Sequence, residues 1–164
     1  MRLRACSEAD LAELHAIIND GAQAYRGVIP ADRWHEPYMS SEALAAEICA
    51  GVRFTGCEDG GRLLGVMGIQ DRGEVDLIRH AYVRTADRQK GIGGRLLAHL
   101  EAETAKPILI GTWAAATWAI RFYEKHGYRL LGREETARLL RRFWSIPERQ
   151  IETSVVLANA RWPA

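Results

Sequence analysis

Cysteine is scarce and unpatterned. Cys6, Cys49 and Cys57 are the only three, and no C-x-x-C pair occurs. A disulfide framework or a thiolate metal site needs cysteines in closely spaced sets, so neither organises this chain. Free thiols in a reducing compartment are expected. The histidines His15, His35, His99 and His126 are scattered too, and no metal is expected. An excess of charge is also missing: 22 Lys+Arg against 21 Asp+Glu leave a net charge of +1. A general nucleic-acid binder carries a basic surplus, so that partner is excluded. No apolar run is long enough to cross a bilayer. Glu8 and Asp10 stand where a secretory leader would need an apolar core. No membrane partner and a cytoplasmic location are therefore expected. Internal repeats and low-complexity segments are absent as well.

What remains is an ordinary globular composition, 48% hydrophobic and 26% charged over 164 residues. That length supports one domain, 1–164, with a core of its own. Met1 to Cys6 reads as a strand, and Ser7 with Asp10 as the start of a helix. Leu11, Leu14, Ile17 and Ile18 share that helix's apolar face. A second helix from Ser41 should turn Leu44 and Ile48 inward. Val52–Cys57, Leu63–Ile69 and Val75–Val83 then alternate like strands. The turn clusters Glu58-Asp59-Gly60-Gly61 and Asp71-Arg72-Gly73 join them into a meander. A helix with Ile92, Leu96, Leu97 and Leu100 inward follows, then a short strand at Ile108–Ile110. The next helix carries a stripe of Ala115, Trp118, Ala119 and Phe122. Tyr128–Leu131 and Ile151–Leu157 read as strands around a helix at Thr136–Trp144. This order predicts an α/β (α+β) fold, a mixed central sheet flanked by helices.

The chemistry is concentrated in Arg88-Gln89-Lys90-Gly91-Ile92-Gly93-Gly94-Arg95. A strand ends just before this run and a helix begins inside it. N–H groups at a helix start have no intrahelical acceptor, and the dipole there is positive. Gly91, Gly93 and Gly94 let a phosphate approach those groups, and Arg88, Lys90 and Arg95 surround them with cations. The run is neither a dinucleotide fingerprint, since the sixth position of G-x-G-x-x-G would be Leu96, nor a Walker loop, since no Gly-Lys-Ser/Thr follows.

Arg88, Gly91 and Gly93 match in place the Gln/Arg-x-x-Gly-x-Gly/Ala pattern of the GNAT N-acetyltransferase superfamily. Ala119-Ile120-Arg121-Phe122-Tyr123-Glu124-Lys125-His126-Gly127-Tyr128 resembles that family's A-I-x-F-Y-E-K-x-G-F/Y segment. The resemblance implies a GNAT-like fold and acetyl-CoA as co-substrate, with no metal. Residues Arg88 to Arg95 would hold the pyrophosphate, and the backbone at Val83 the pantetheine arm and acyl carbonyl. Ala116 stands where many members carry an asparagine that contacts the arm. The implied reaction is direct attack of a primary amine, on a small molecule or peptide, in a ternary complex. A non-catalytic acyl-CoA sensor and a transferase for another acyl-CoA are the alternatives. A homodimer is compatible with the sequence.

Attack on a thioester needs a neutral amine, a polarised carbonyl and a protonated leaving thiolate. By resemblance, Tyr123 is the acid for the sulfur. Asp76, His80 and Tyr82 share one face of a regular strand. His80 is the candidate base, since imidazole titrates near neutral pH. A water relay, with His80 a sheet residue, is the alternative. The resemblance places the acceptor against Gly21–Met39. There Tyr25, Trp34 and Glu36 could hold a cation, and Arg26 or Arg33 a carboxylate; a loop packed by its aromatics is the alternative. Arg138, Arg141 and Arg142 read as a solvated basic face.

Overall fold

The computed structural model describes residues 1–164. Strands β1 (Arg2–Ala5), β2 (Arg53–Asp59), β3 (Arg62–Asp71) and β4 (Asp76–Val83) form an antiparallel meander. The turn between β2 and β3 is Gly60-Gly61, with φ of 56° and 77°. Two positive φ values match the twist of the strands they join, which is why glycines stand there. Strand β5 (Ile108–Trp113) then pairs with β4 in parallel, β7 (Ser154–Ala158) with β5 in antiparallel, and β6 (Arg129–Leu130) with β7. The sheet order is β1-β2-β3-β4-β5-β7-β6.

Helices α1 (Leu11–Ala22), α2 (Ser41–Cys49) and α5 (Arg133–Phe143) cover one face. Helices α3 (Ile92–Ala102) and α4 (Thr117–Lys125) cover the other, and the short α6 (Glu148–Glu152) leads into β7. The stripe Ile92, Leu96, Leu97 and Leu100 is wholly buried against β2 and β3. In α1, Leu14, Ile17 and Ile18 are buried, but Leu11, at the helix start, is exposed. Ile48 is also turned outward, leaving Leu44 as the buried residue of α2. Ile151 belongs to α6 rather than to a strand, because Pro147 opens a helical turn there.

The stripe read onto α4 is displaced. Its one buried residue is Tyr123, with Ile120 and Phe122 half-buried and Trp118 exposed; Ala116, buried too, precedes the helix. The helix has two apolar faces, one against the sheet and one along a groove. Periodicity does not distinguish a core wall from a groove wall.

The sheet opens at its centre. Strands β4 and β5 share three rungs, Asp76–Ile108, Leu77–Leu109 and Ile78–Ile110, and then part. The cause is a bulge in β4. Gly68 pairs with Arg79 and Val66 with Tyr82, so His80 and Ala81 together oppose Met67. His80 takes a φ of 54°, and the strand bends away from β5. The bulge also resets the alternation. Ile78 and Ala81 both face the α3–α4 cluster, and Tyr82 faces α1. Asp76 therefore lies apart from His80 and Tyr82, beside Lys106 at 3.7 Å. The three do not share the face a regular strand would give them.

Candidate active site

The loop from Arg88 to Gly94 presents seven consecutive backbone N–H groups that donate to no other backbone group. The first bond of α3 is donated by Arg95 to the Gly91 carbonyl. Gln89 and Gly91 hold φ values of 65° and 75°, which curl the loop onto the helix start. Such a curl turns successive N–H groups toward one point, a concavity for anions. The side chains are less uniform than the sequence implied. Ile92 is buried in the core, so it offers only its N–H. Lys90 donates to Asp87 at 2.7 Å, and this pairing holds the Asp87 carboxyl below its ordinary range. Arg95 is exposed and reaches the Met1 carbonyl at 3.4 Å. Arg88 donates to the Gly21 carbonyl at 3.3 Å and lines the groove beyond.

Two cavities flank the split between β4 and β5. One, of about 380 Å³, runs between the α3 start and α4 and includes Val83, Arg88, Gly93, Trp118 and Phe122. The other, of about 330 Å³, opens on the opposite side against the α1–α2 connection. Both are lined by Tyr25, Ala81, Tyr82, Ala119 and Tyr123. Tyr123 is thus wedged where they meet, its ring against Phe122 and Tyr128 at 5.0 and 5.9 Å. Its hydroxyl bonds to no group of the chain, and burial pushes its pKa well above the ordinary phenol value. Burial raises Tyr25 and Tyr82 likewise. The three phenols keep their protons at neutral pH.

His80 lines the second cavity, with its ring stacked on Phe54. Its Nε2 lies 3.2 Å from Glu47 on α2. The pair is off-axis, and neither atom finds a hydrogen bond of ordinary geometry. Arg79 stands 3.4 Å from the same carboxylate. Burial opposes ionisation of Glu47, but His80 and Arg79 outweigh it and hold its carboxyl below the ordinary range. Sequence reading missed Glu47 because it sits on a short helix with a single buried apolar residue, where a lone glutamate resembles a solvated one.

The segment 21–39, expected to hold the acceptor, turns other side chains toward the cavity than expected. Of Tyr25, Arg26, Trp34 and Glu36, only Tyr25 lines a cavity. Trp34 stacks behind Tyr38 at 5.8 Å, filling the small cluster around Ile29, Trp113 and Ala116. Glu36 and Arg26 are exposed, and Glu36 accepts only from Gln23, at 3.4 Å. The segment's two single-turn helices, Gln23–Tyr25 and Ala31–Arg33, rotate Arg33, His35, Tyr38 and Met39 into the cavity instead. Tyr38 accepts from Trp113 Nε1 at 3.0 Å, and burial pushes its pKa up to about 12. Three α5 arginines are paired with acids: Arg138 with Glu135, Arg141 with Glu148 and Arg142 with Glu74.

Residues 6–142 match the model of the acetyltransferase (GNAT) domain. No curated protein matches the chain in sequence. Among solved structures it is similar to PaiA N-acetyltransferase from Thermoplasma acidophilum in complex with coenzyme A. That likeness has 18% identity and a TM-score of 0.73, covering 96% of this chain and 97% of that one. A GNAT-family acetyltransferase from Staphylococcus aureus gives 17% identity and a TM-score of 0.70, over 96% and 97%. Ribosomal-protein-alanine N-acetyltransferase from Brucella melitensis gives 20% and 0.67, over 97% and 99%. These likenesses establish an acetyltransferase fold. By its domain match, this chain belongs to the GNAT acetyltransferase family.

Proposed function

We propose that this protein is an acetyl-CoA-dependent N-acetyltransferase acting on a primary amine by direct attack in a ternary complex. One observation carries the reading. The free N–H run at the α3 start opens into a groove that ends on Tyr123, and a second cavity reaches the same tyrosine from the other side. Two substrates entering from opposite faces meet there. Acetyl-CoA supplies the activated thioester. The loop Arg88–Gly94 binds its pyrophosphate with N–H groups and Arg88, and the parted edge of β4 up to Val83 receives the arm. In the other cavity His80, backed by ionised Glu47, takes the ammonium proton. The nitrogen lone pair then forms the N–C bond to the acyl carbon, and the C–S bond breaks. Tyr123 gives its proton to the departing sulfur and recovers one from the acylated nitrogen, which sheds its second proton as the amide forms. The raised pKa of Tyr123 does not forbid this, because the same burial raises the proton affinity of a thiolate.

The test is release of free CoA thiol from acetyl-CoA across a panel of amino acids, polyamines, aminoglycosides and peptides, alongside calorimetric binding of acetyl-CoA. Amine-dependent release supports the reading. Tight binding with no release for any amine would make the protein a sensor, and absence of binding would remove the cofactor site.

A further inference from the structure

Three arginines line the two cavities: Arg33, Arg79 and Arg88. Arg79 faces Glu47 and also donates to Gln70 at 3.1 Å. Arg88 stands at the free N–H run, where the pyrophosphate accounts for it. Arg33 has no such explanation. It has no carboxylate within 4.0 Å, whereas ten of the chain's nineteen arginines do. Its one partner is the neutral amide oxygen of Gln150, at 3.2 Å from Nη2. Its Nε is buried without an acceptor. The side chain as a whole is half-buried, and an orphaned buried donor on it calls for a missing partner.

No acid lining the cavities is free to be that partner, and the neighbouring Asp32 is paired with Arg149. Glu47 is the only carboxylate lining either cavity, and it is committed to His80 and Arg79. The α1–α2 side therefore holds one uncommitted cation and no uncommitted anion. We propose that Arg33 is a carboxylate subsite, so that the acceptor amine also carries a carboxylate: the substrate class is an amino acid. The inference rests on the acetyl-transfer reading above. The acceptor's nitrogen lies toward His80 and its carboxylate toward Arg33. Tyr38, whose oxygen already accepts from Trp113, keeps its own proton to donate to the same group. One guanidinium balances one carboxylate, whereas a phosphate dianion would leave charge over. The cavity, about 330 Å³, is at the small end of ligand sites and suits a single residue.

The experiment compares kcat/KM, by thiol release from acetyl-CoA, for each proteinogenic amino acid, its α-carboxamide and its decarboxylated amine. Aspartate and glutamate are compared also with asparagine and glutamine. For the best substrate, removing the responsible carboxylate should lower kcat/KM by about 10- to 100-fold, the range of a charge-assisted hydrogen-bonded pair. Whichever amidation, α or side-chain, produces the fall identifies the carboxylate. Arg33→Gln should erase the preference through KM, with the KM for acetyl-CoA unchanged. Arg33→Lys, which keeps the charge, should restore part of it. Equal turnover of acids and carboxamides by the native protein would overturn the subsite, whether or not the variants fold. So would a preference that survives Arg33→Gln. Should no amine release thiol, calorimetry of the amino acids and their carboxamides against CoA-loaded protein decides. Binding confined to acids keeps the subsite while the transferase reading fails, and no binding overturns both.

Discussion

A side chain on Gly93 would place its Cβ 3.2 Å from Cζ of Phe122, so the helix start and the α4 ring already close on each other across the groove. Gly93→Ala should shift the ring by a few tenths of an ångström and change stability by less than about 1 kcal/mol, because its backbone φ is ordinary and the ring is half-buried. Gly93→Asp adds a carboxylate at the mouth of the N–H run and should abolish acetyl-CoA binding while the fold survives. Calorimetry checks both, and unchanged affinity in the aspartate variant would remove the loop from the cofactor site.

Tyr123→Phe keeps the ring that packs on Phe122 and Tyr128 and removes only a hydroxyl that bonds to nothing in the chain. Stability and acetyl-CoA affinity should therefore barely change. If the hydroxyl is the acid, kcat falls by roughly 10²–10⁴-fold, the span for a positioned proton donor. An acyl donor with a more acidic leaving thiol should narrow that gap. Near-normal kcat would leave Tyr123 a packing residue.

In the proposed mechanism Glu47 acts on the amine through His80, so the two should behave as a unit. Glu47→Gln and His80→Gln should each lower kcat on the true amine by about 10²-fold or more, and the double variant should lose little beyond either single one. Additive losses in a double-mutant cycle would separate them. Glu47 is held below its ordinary pKa of 4.5. Its pairing is therefore intact above that value and disappears as pH falls through the lowered one.

Acid stability has a second, clearer marker. Arg4 donates to both oxygens of Asp10 at 2.9 Å, and Asp10 also accepts from the Ser7 N–H at 2.8 Å. The Arg4 bonds, against burial, lower Asp10 from 3.8 to about 2. A depressed carboxylate stabilises the fold fully above its unfolded pKa and loses that contribution on the way down. Asp10→Asn should cost about 1–2 kcal/mol at pH 7, or roughly 3–6 °C in Tm. The gap between variant and native protein should close from pH 3.8 towards about 2. A gap constant across that interval would show that the ion pair contributes nothing.

The free N–H run at the α3 start was legible because its signal is local. Glycines, cations and a strand-to-helix change fall within a few residues, and the N–H run follows from them. The meander was legible because glycine turns separate alternating runs. The cavity against the α1–α2 connection was not, since its wall is set by two single-turn helices that no period announces. Trp34 and Glu36 have the chemistry of a pocket but the wrong rotation, and Arg33, one residue from Trp34, faces inward instead. The β4 bulge was equally silent. A single inserted residue reassigns every side chain after it, and nothing in the letters Arg79-His80-Ala81 distinguishes it from continuous strand.

If His80 is the base, its conformation sets a conflict between durability and chemistry. A residue with a Cβ at a φ of 54° sits in the left-handed region, at a cost of roughly 1 kcal/mol that glycine would not bear. Alanine and glycine at position 80 forfeit the same contacts with Glu47 and Phe54. The usual ranking of the two in a strand should therefore invert, with His80→Gly melting above His80→Ala. A sequence chosen for endurance alone would place glycine at this bend. Heat-hardening of the protein by that route would leave the cleft without its imidazole.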